Sequence, residues 1–146
     1  MMETRQPTLW RILQTDYAAY FAALFVVILW GFTLYDFIRG QELQPSFLYL
    51  LGSVTVVGLI VLAWRTAWIN TLYNEGQEAL ATIHKVTSYR GRTRITFVHV
   101  YHGEKYLSNN MVVRNKRTQG YVVGDQVVVL VDSNRPKKAC IKELYI

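Results

Sequence analysis

The sequence predicts a membrane α + β protein: a two-helix transmembrane hairpin followed by a small five-stranded β-barrel of OB or SH3-like type. Two apolar runs of spanning length, Tyr17 to Ile38 and Ser46 to Trp64, are joined only by the polar segment RGQELQPS. Downstream come five short segments rich in β-branched and aromatic residues, separated by turn-forming stretches. Charge is divided in the same way. The chain carries a formal +6, and from Gly76 onward twelve Lys or Arg face five Asp or Glu, so the first half is close to neutral.

The organisation expected is an N-terminal cytoplasmic or interfacial segment over 1–16, the hairpin over 17–75 with an outer loop at 39–45, and the barrel over 76–146. Residues 1–16 read as the approach to an anchor, because the apolar run behind them is too long for a cleavable signal. Thr8, after Pro7, is a helix cap for LWRIL, placing the start of the first helix at headgroup level with Arg11 reaching water.

At 1.5 Å per residue the first run makes a helix of about 33 Å, enough to cross a hydrocarbon core of about 30 Å. The second spans by the same arithmetic, and so short a chain has too little protein to bury both. Trp10, Tyr17, Tyr20, Trp64 and Trp68 fall at one boundary, and Trp30, Tyr35, Phe47 and Tyr49 at the other, as interfacial aromatics do. Arg39 is the only basic residue of the loop, against Arg5, Arg11 and Arg65 at the other ends, so both termini and the β-domain are expected in the cytoplasm.

Ala18 with Ala22, Ala19 with Ala23, and Gly52 and Gly58 are small residues that let helices approach, either within the hairpin or toward another subunit. Asp36, within a turn of Arg39, reads as an end charge at the interface. Beyond Arg65 the helix is expected to continue to Asn74–Gly76 and to pass without a linker into the barrel.

The five expected strands lie in ALATIHKVTSY, TRITFVHVYH, KYLSNNMVVR, DQVVVLVD and ACIKELYI, and a closed or partly open barrel would manage their edges. In the second, Ile95, Phe97, His99 and Tyr101 alternate with Thr96, Val98 and Val100, leaving both faces substantially apolar. One fills the barrel. The other needs cover from lipid, from the helix after the membrane, or from another subunit.

The ending GDQVVVLVDSNRPKKACI, with Gly124-Asp125, alternating valines, Asp132 and Pro136, resembles that of a bacterial membrane family known as domain of unknown function 3592. ALATIHKV and TFVHVYHGEKY are similar to its opening strands, although members often place a further spanning helix after the β-domain. The hairpin-then-barrel order is also similar to short NfeD proteins, which accompany stomatin-type scaffolds. These resemblances imply a β-domain on membrane helices, in a bacterial inner membrane.

No phosphate loop, dinucleotide fingerprint or nucleophile elbow is present, and no cofactor is expected. His99 and His102, three apart, fall on opposite faces of a regular strand, and neither they nor His84 has a carboxylate or thiol partner for a metal. Cys140, between Lys138 and Lys142, is either a packing residue or a thiol of lowered pKa, and it cannot form an internal disulfide.

Three basic clusters are candidates for anionic lipid: Arg90, Arg92 and Arg94; Arg114, Lys116 and Arg117; Arg135, Lys137 and Lys138. Solvated loop charge is the equal alternative. Nucleic acid, stacking on Tyr89, Phe97, Tyr101 or Tyr106, is disfavoured by the membrane anchor. The leading expectation is an accessory or scaffolding subunit that docks a membrane-protein partner, or a second copy, through Phe97, His99, Tyr101 and Tyr106. A lipid- or ligand-sensing module that modulates a transporter or protease is the alternative, and a small redox factor using Cys140 the third.

Overall fold

The structure is a computed structural model that describes residues 6–146. Arg5, counted above toward orientation, lies outside the described residues. The described residues open with two helices where one continuous start was expected. Thr8 caps α1 (Leu9–Thr15), its hydroxyl accepting from the Arg11 amide at 3.3 Å. Asp16 then turns extended (φ −78°, ψ 120°), ends α1, and caps α2 (Tyr17–Ile38) by accepting from the Ala19 amide at 3.0 Å. An aspartate directly before an apolar run is a helix-start signal in its own right.

A six-residue turn leads from α2 to α3 (Pro45–Glu75), which opens with Pro45 in the first helical turn, where its missing amide costs nothing. The two helices run antiparallel. Trp30 Nε1 donates to Thr55 at 3.1 Å, and Gly58 faces Ala22 and Val26 so closely that a Cβ there would come within 2.8 Å of Val26 Cγ2. Of the expected small residues, Gly58 approaches Ala22 closely, Ala19 is buried in the core, and Gly52 faces open space. Both helices are long and apolar enough to cross a membrane, and only 6% of either apolar window is buried inside the protein.

The last three turns of α3 leave the hairpin and enter the core of the β-domain through Ile69 and Leu72. Gly76 is then the only residue between helix and sheet. Its φ of −68° is ordinary, but a Cβ would meet the Leu72 carbonyl at 2.3 Å, so the close backbone approach explains the glycine.

Five antiparallel strands follow: β1 (Gln77–Tyr89), β2 (Arg92–Tyr101), β3 (Glu104–Val113), β4 (Gln126–Val131) and β5 (Ala139–Ile141), hydrogen-bonded in the order β3-β2-β1-β4-β5. Two-residue turns, Arg90-Gly91 and His102-Gly103, join the first three, with φ positive at both positions of each as the twist of a tight hairpin requires. β1 pairs with both β2 and β4. An irregularity between Ile83 and Lys85 accommodates His84 and bends the strand between its two partners.

The sheet is nearly closed, and side chains supply the missing seam. On β3, Asn110 donates to the Ala139 carbonyl at 3.1 Å and accepts from the Ile141 amide at 2.9 Å, while Ser108 donates to the Lys137 carbonyl at 2.9 Å. The expected last strand, ACIKELYI, is shorter than its composition suggested. Only Ala139–Ile141 pairs with β4; a 3₁₀ turn over Lys142–Leu144 then carries Leu144 and Tyr145 beneath the barrel, where both are buried. Ile12 of α1 joins Ile69, Ile83, Ile95, Phe97 and Val129 in one continuous core, so α1 and the end of α3 close the barrel from below.

Candidate functional site

Where hairpin and barrel meet lies a buried ion pair that sequence reasoning passed over. Asp16 is fully buried. One carboxylate oxygen accepts from the Ala19 amide and from Arg65 Nε at 3.2 Å; the other accepts from Arg65 Nη2 and from the Tyr145 hydroxyl at 3.3 Å. The fork geometry of arginine suits this two-oxygen contact. Arg65 stacks over Trp68 at 4.7 Å, and Thr15 donates to the Leu144 carbonyl at 3.3 Å. The start of α2, the end of the apolar stretch of α3 and the last residues of the barrel are thereby tied at one point. Burial pushes the Tyr145 hydroxyl well above the usual tyrosine range, with the Asp16 charge acting in the same direction, so it stays a donor. The only local hint in the sequence was Asp16 ahead of the apolar run; its partners are 49 and 129 residues away.

The aromatic docking face expected around Phe97 is corrected. Burial alternates along β2 and puts Phe97, His99 and Tyr101 inside the barrel, at 0%, 1% and 9% exposure. Tyr106 is half-buried, its ring 5.8 Å from that of His99 and its hydroxyl donating to Glu104 at 2.6 Å. The apolar face left outside is the opposite one. Thr82, Val98 and Leu107 form a row across β1, β2 and β3, with Leu80 and Val100 one pleat further along; Leu80, Val100 and Leu107 are 70%, 51% and 60% exposed. From Ile95 to Tyr101 both faces of β2 are apolar, so alternation there grouped these residues correctly without telling which group turns inward; Arg92 and Arg94, on the face of Val98 and Val100, are the signal that marks it as outward.

His99 Nε2 lies 3.0 Å from the Pro136 carbonyl, which fits a neutral ring donating there, and burial lowers its pKa below the usual histidine value. His84 and His102 are exposed. Among the described residues, no group of three or more His, Cys, Asp or Glu side chains converges. Cys140 is fully buried, and burial raises its pKa to about 12 against the opposing pull of Arg65. A thiolate poised by Lys138 and Lys142 is therefore corrected to a core thiol.

The basic clusters are not equivalent. The Arg114 amide donates to the Gly91 carbonyl at 2.8 Å, and Asn115 donates to the Gln14 carbonyl at 3.2 Å. Arg114, Lys116 and Arg117 thus share one rim with Arg90 and Arg92, beside the α1 to α2 junction. On the outer face of β2, Arg92 and Arg94 join Lys85 of β1, which sequence reasoning did not single out, along an open groove of about 410 Å³. Arg135 lies apart, beside the segment of α3 from Trp68 to Glu75, 3.6 Å from Asp132; Lys137 and Lys138 follow it in the β4 to β5 turn. Comparison of the chain with family models, with curated proteins and with solved structures finds no match in any of the three.

Proposed function

We propose that this is an integral membrane accessory or scaffolding subunit, anchored by α2 and α3, that presents its barrel at the membrane surface to a membrane-protein partner. The observation behind this reading is the outward apolar row of Val98 and Leu107 with Leu80 and Val100, on a barrel that the Asp16–Arg65 pair and the one-residue joint at Gly76 hold to the hairpin. Exposed apolar patches rimmed by polar residues mark interaction sites. The unburied apolar surface of both helices favours a lipid surrounding over the core of a soluble protein. With basic residues concentrated on the barrel side, the termini and barrel face the cytoplasm. The barrel is of OB type in this reading, its long first strand shared between two partners. The likeness to short NfeD proteins is one of architecture and carries no activity.

The test has two parts. Resistance to alkaline carbonate extraction reads membrane insertion. Mild-detergent purification with mass spectrometry, against a mock-tag control, then reads the partner: a stoichiometric companion lost on Val98→Lys and Leu107→Lys is expected. A carbonate-resistant protein that runs alone or only with itself, while known complexes survive the same detergent, refutes the accessory role.

A further inference from the structure

The geometry points to a binding site for one anionic phospholipid, with its phosphate on Lys85, Arg92 and Arg94 and an acyl chain along the groove between α2 and α3. This rests on the membrane insertion proposed above, not on the identity of any protein partner. Register places the cations together: Lys85 is opposite Thr96, and Arg94 and Arg92 follow at two-residue steps on the same outward face of β2. The segments that hold and flank them contain no acid. Residues 83–97 and 105–117 hold four Lys or Arg each and no Asp or Glu. Among the described residues, none of these eight cations forms a salt bridge.

Position selects a lipid over a soluble anion. Arg92 lies 5.8 Å over the ring of Tyr17, the first residue of α2. A 22-residue helix of about 33 Å matches the hydrocarbon core, which puts Tyr17 at its boundary and Arg92 at phosphate level. From Arg92 the contacts lead through Tyr17 to the helices. Tyr17 packs on Phe21, ring centroids 4.4 Å apart, and Phe21 lines an almost wholly apolar groove of about 510 Å³ between the Ala18 to Phe25 face of α2 and the Ser53 to Val61 face of α3. That volume is within the range of ordinary small-ligand sites. A free phosphate would use only the upper half of this arrangement, and a partner helix only the lower.

The experiment titrates the delipidated full chain in neutral micelles with phosphatidylglycerol, phosphatidylcholine or inorganic phosphate, counting retained ligands by native mass spectrometry. A basic side chain at an anionic surface contributes about fivefold in binding. The variant K85Q/R92Q/R94Q is therefore expected to lose about a hundredfold in affinity for the first phosphatidylglycerol. R135Q/K137Q/K138Q, with the same change in net charge on the other cluster, should change by less than about threefold. Equal losses in the two variants would overturn the site in favour of diffuse attraction. So would phosphatidylcholine binding as tightly as phosphatidylglycerol, groove-dependent binding of inorganic phosphate at the same strength, or a dimer that forms in place of lipid uptake. Should the triple variant not fold, R94Q alone, on an exposed side chain, carries the test with about a fivefold loss. A chain extracted by carbonate fails the anchoring reading separately, before any lipid is added.

Discussion

Replacing Asp16 by Asn removes the charge at the junction while keeping the size of the side chain and one acceptor oxygen. Asn caps a helix about as well as Asp, so the start of α2 keeps its bond to the Ala19 amide. What disappears is the counter-charge of Arg65, together with the oxygen that accepts from Arg65 Nη2 and the Tyr145 hydroxyl. Removing one partner of a buried pair costs about 3–5 kcal/mol, because the other is left desolvated and unpaired. The Arg65 side chain is 20% exposed, so water recovers part of this, and the expected loss is near the low end, about 3 kcal/mol. For a protein of this size that corresponds to a fall of about 10 °C in melting temperature. Trp68 and Trp64, 4.7 and 5.9 Å from the guanidinium, make tryptophan fluorescence in micelles a local reporter of the unfolding. Arg65→Met removes the other charge and keeps the aliphatic stem. In the double variant the two losses should fall short of additivity by at least about 1.5 kcal/mol. An Asp16→Asn protein within about 1 kcal/mol of the parent, or strictly additive losses, would refute the role of the pair as the tie between hairpin and barrel.

Asn110→Ala should open the seam between β3 and β5 by stranding the Ala139 carbonyl and the Ile141 amide, at a cost of about 2–4 kcal/mol and with faster hydrogen exchange at Ile141. His99 is buried with its pKa lowered, so the unfolded chain takes up its proton first as pH falls. Its contribution to stability is complete above the unfolded value near 6.5 and is lost as pH drops toward the folded value; melting curves from pH 7.5 to 5 should show a decline that His99→Gln lessens. Gly58→Val should weaken the hairpin by about 1–3 kcal/mol through the contacts with Val26 and Ala22, whereas Gly52→Val, facing open space, should not; thermal melts of the two in micelles separate these outcomes. Cys140, buried and with its pKa raised to about 12, should resist iodoacetamide in the native protein at pH 8 and react once it is denatured.

What the sequence determined by itself about this protein is local. The length of the two apolar runs, the turn residues between them, the glycines of the β-hairpins and the alternation along β2 each follow from neighbours a few residues apart, because helix and strand periodicity are short-range properties. Tertiary structure decided the features that join distant parts of the chain. It built the core that receives the inward face of β2, closing the barrel over Ile69, Leu72 and Ile12, where the stretch from Ile95 to Tyr101 taken alone is apolar on both faces. It ended β5 after three residues, because Tyr145 had to leave the sheet to reach Asp16. It also set Lys85 beside Arg94 by the register of β1 on β2, and brought Arg92 over Tyr17, 75 residues earlier in the chain. Pairings across such separations leave no periodic trace in the sequence. The Asp16–Arg65 pair forms only where the desolvation of both groups is offset by the contacts that folding makes between them.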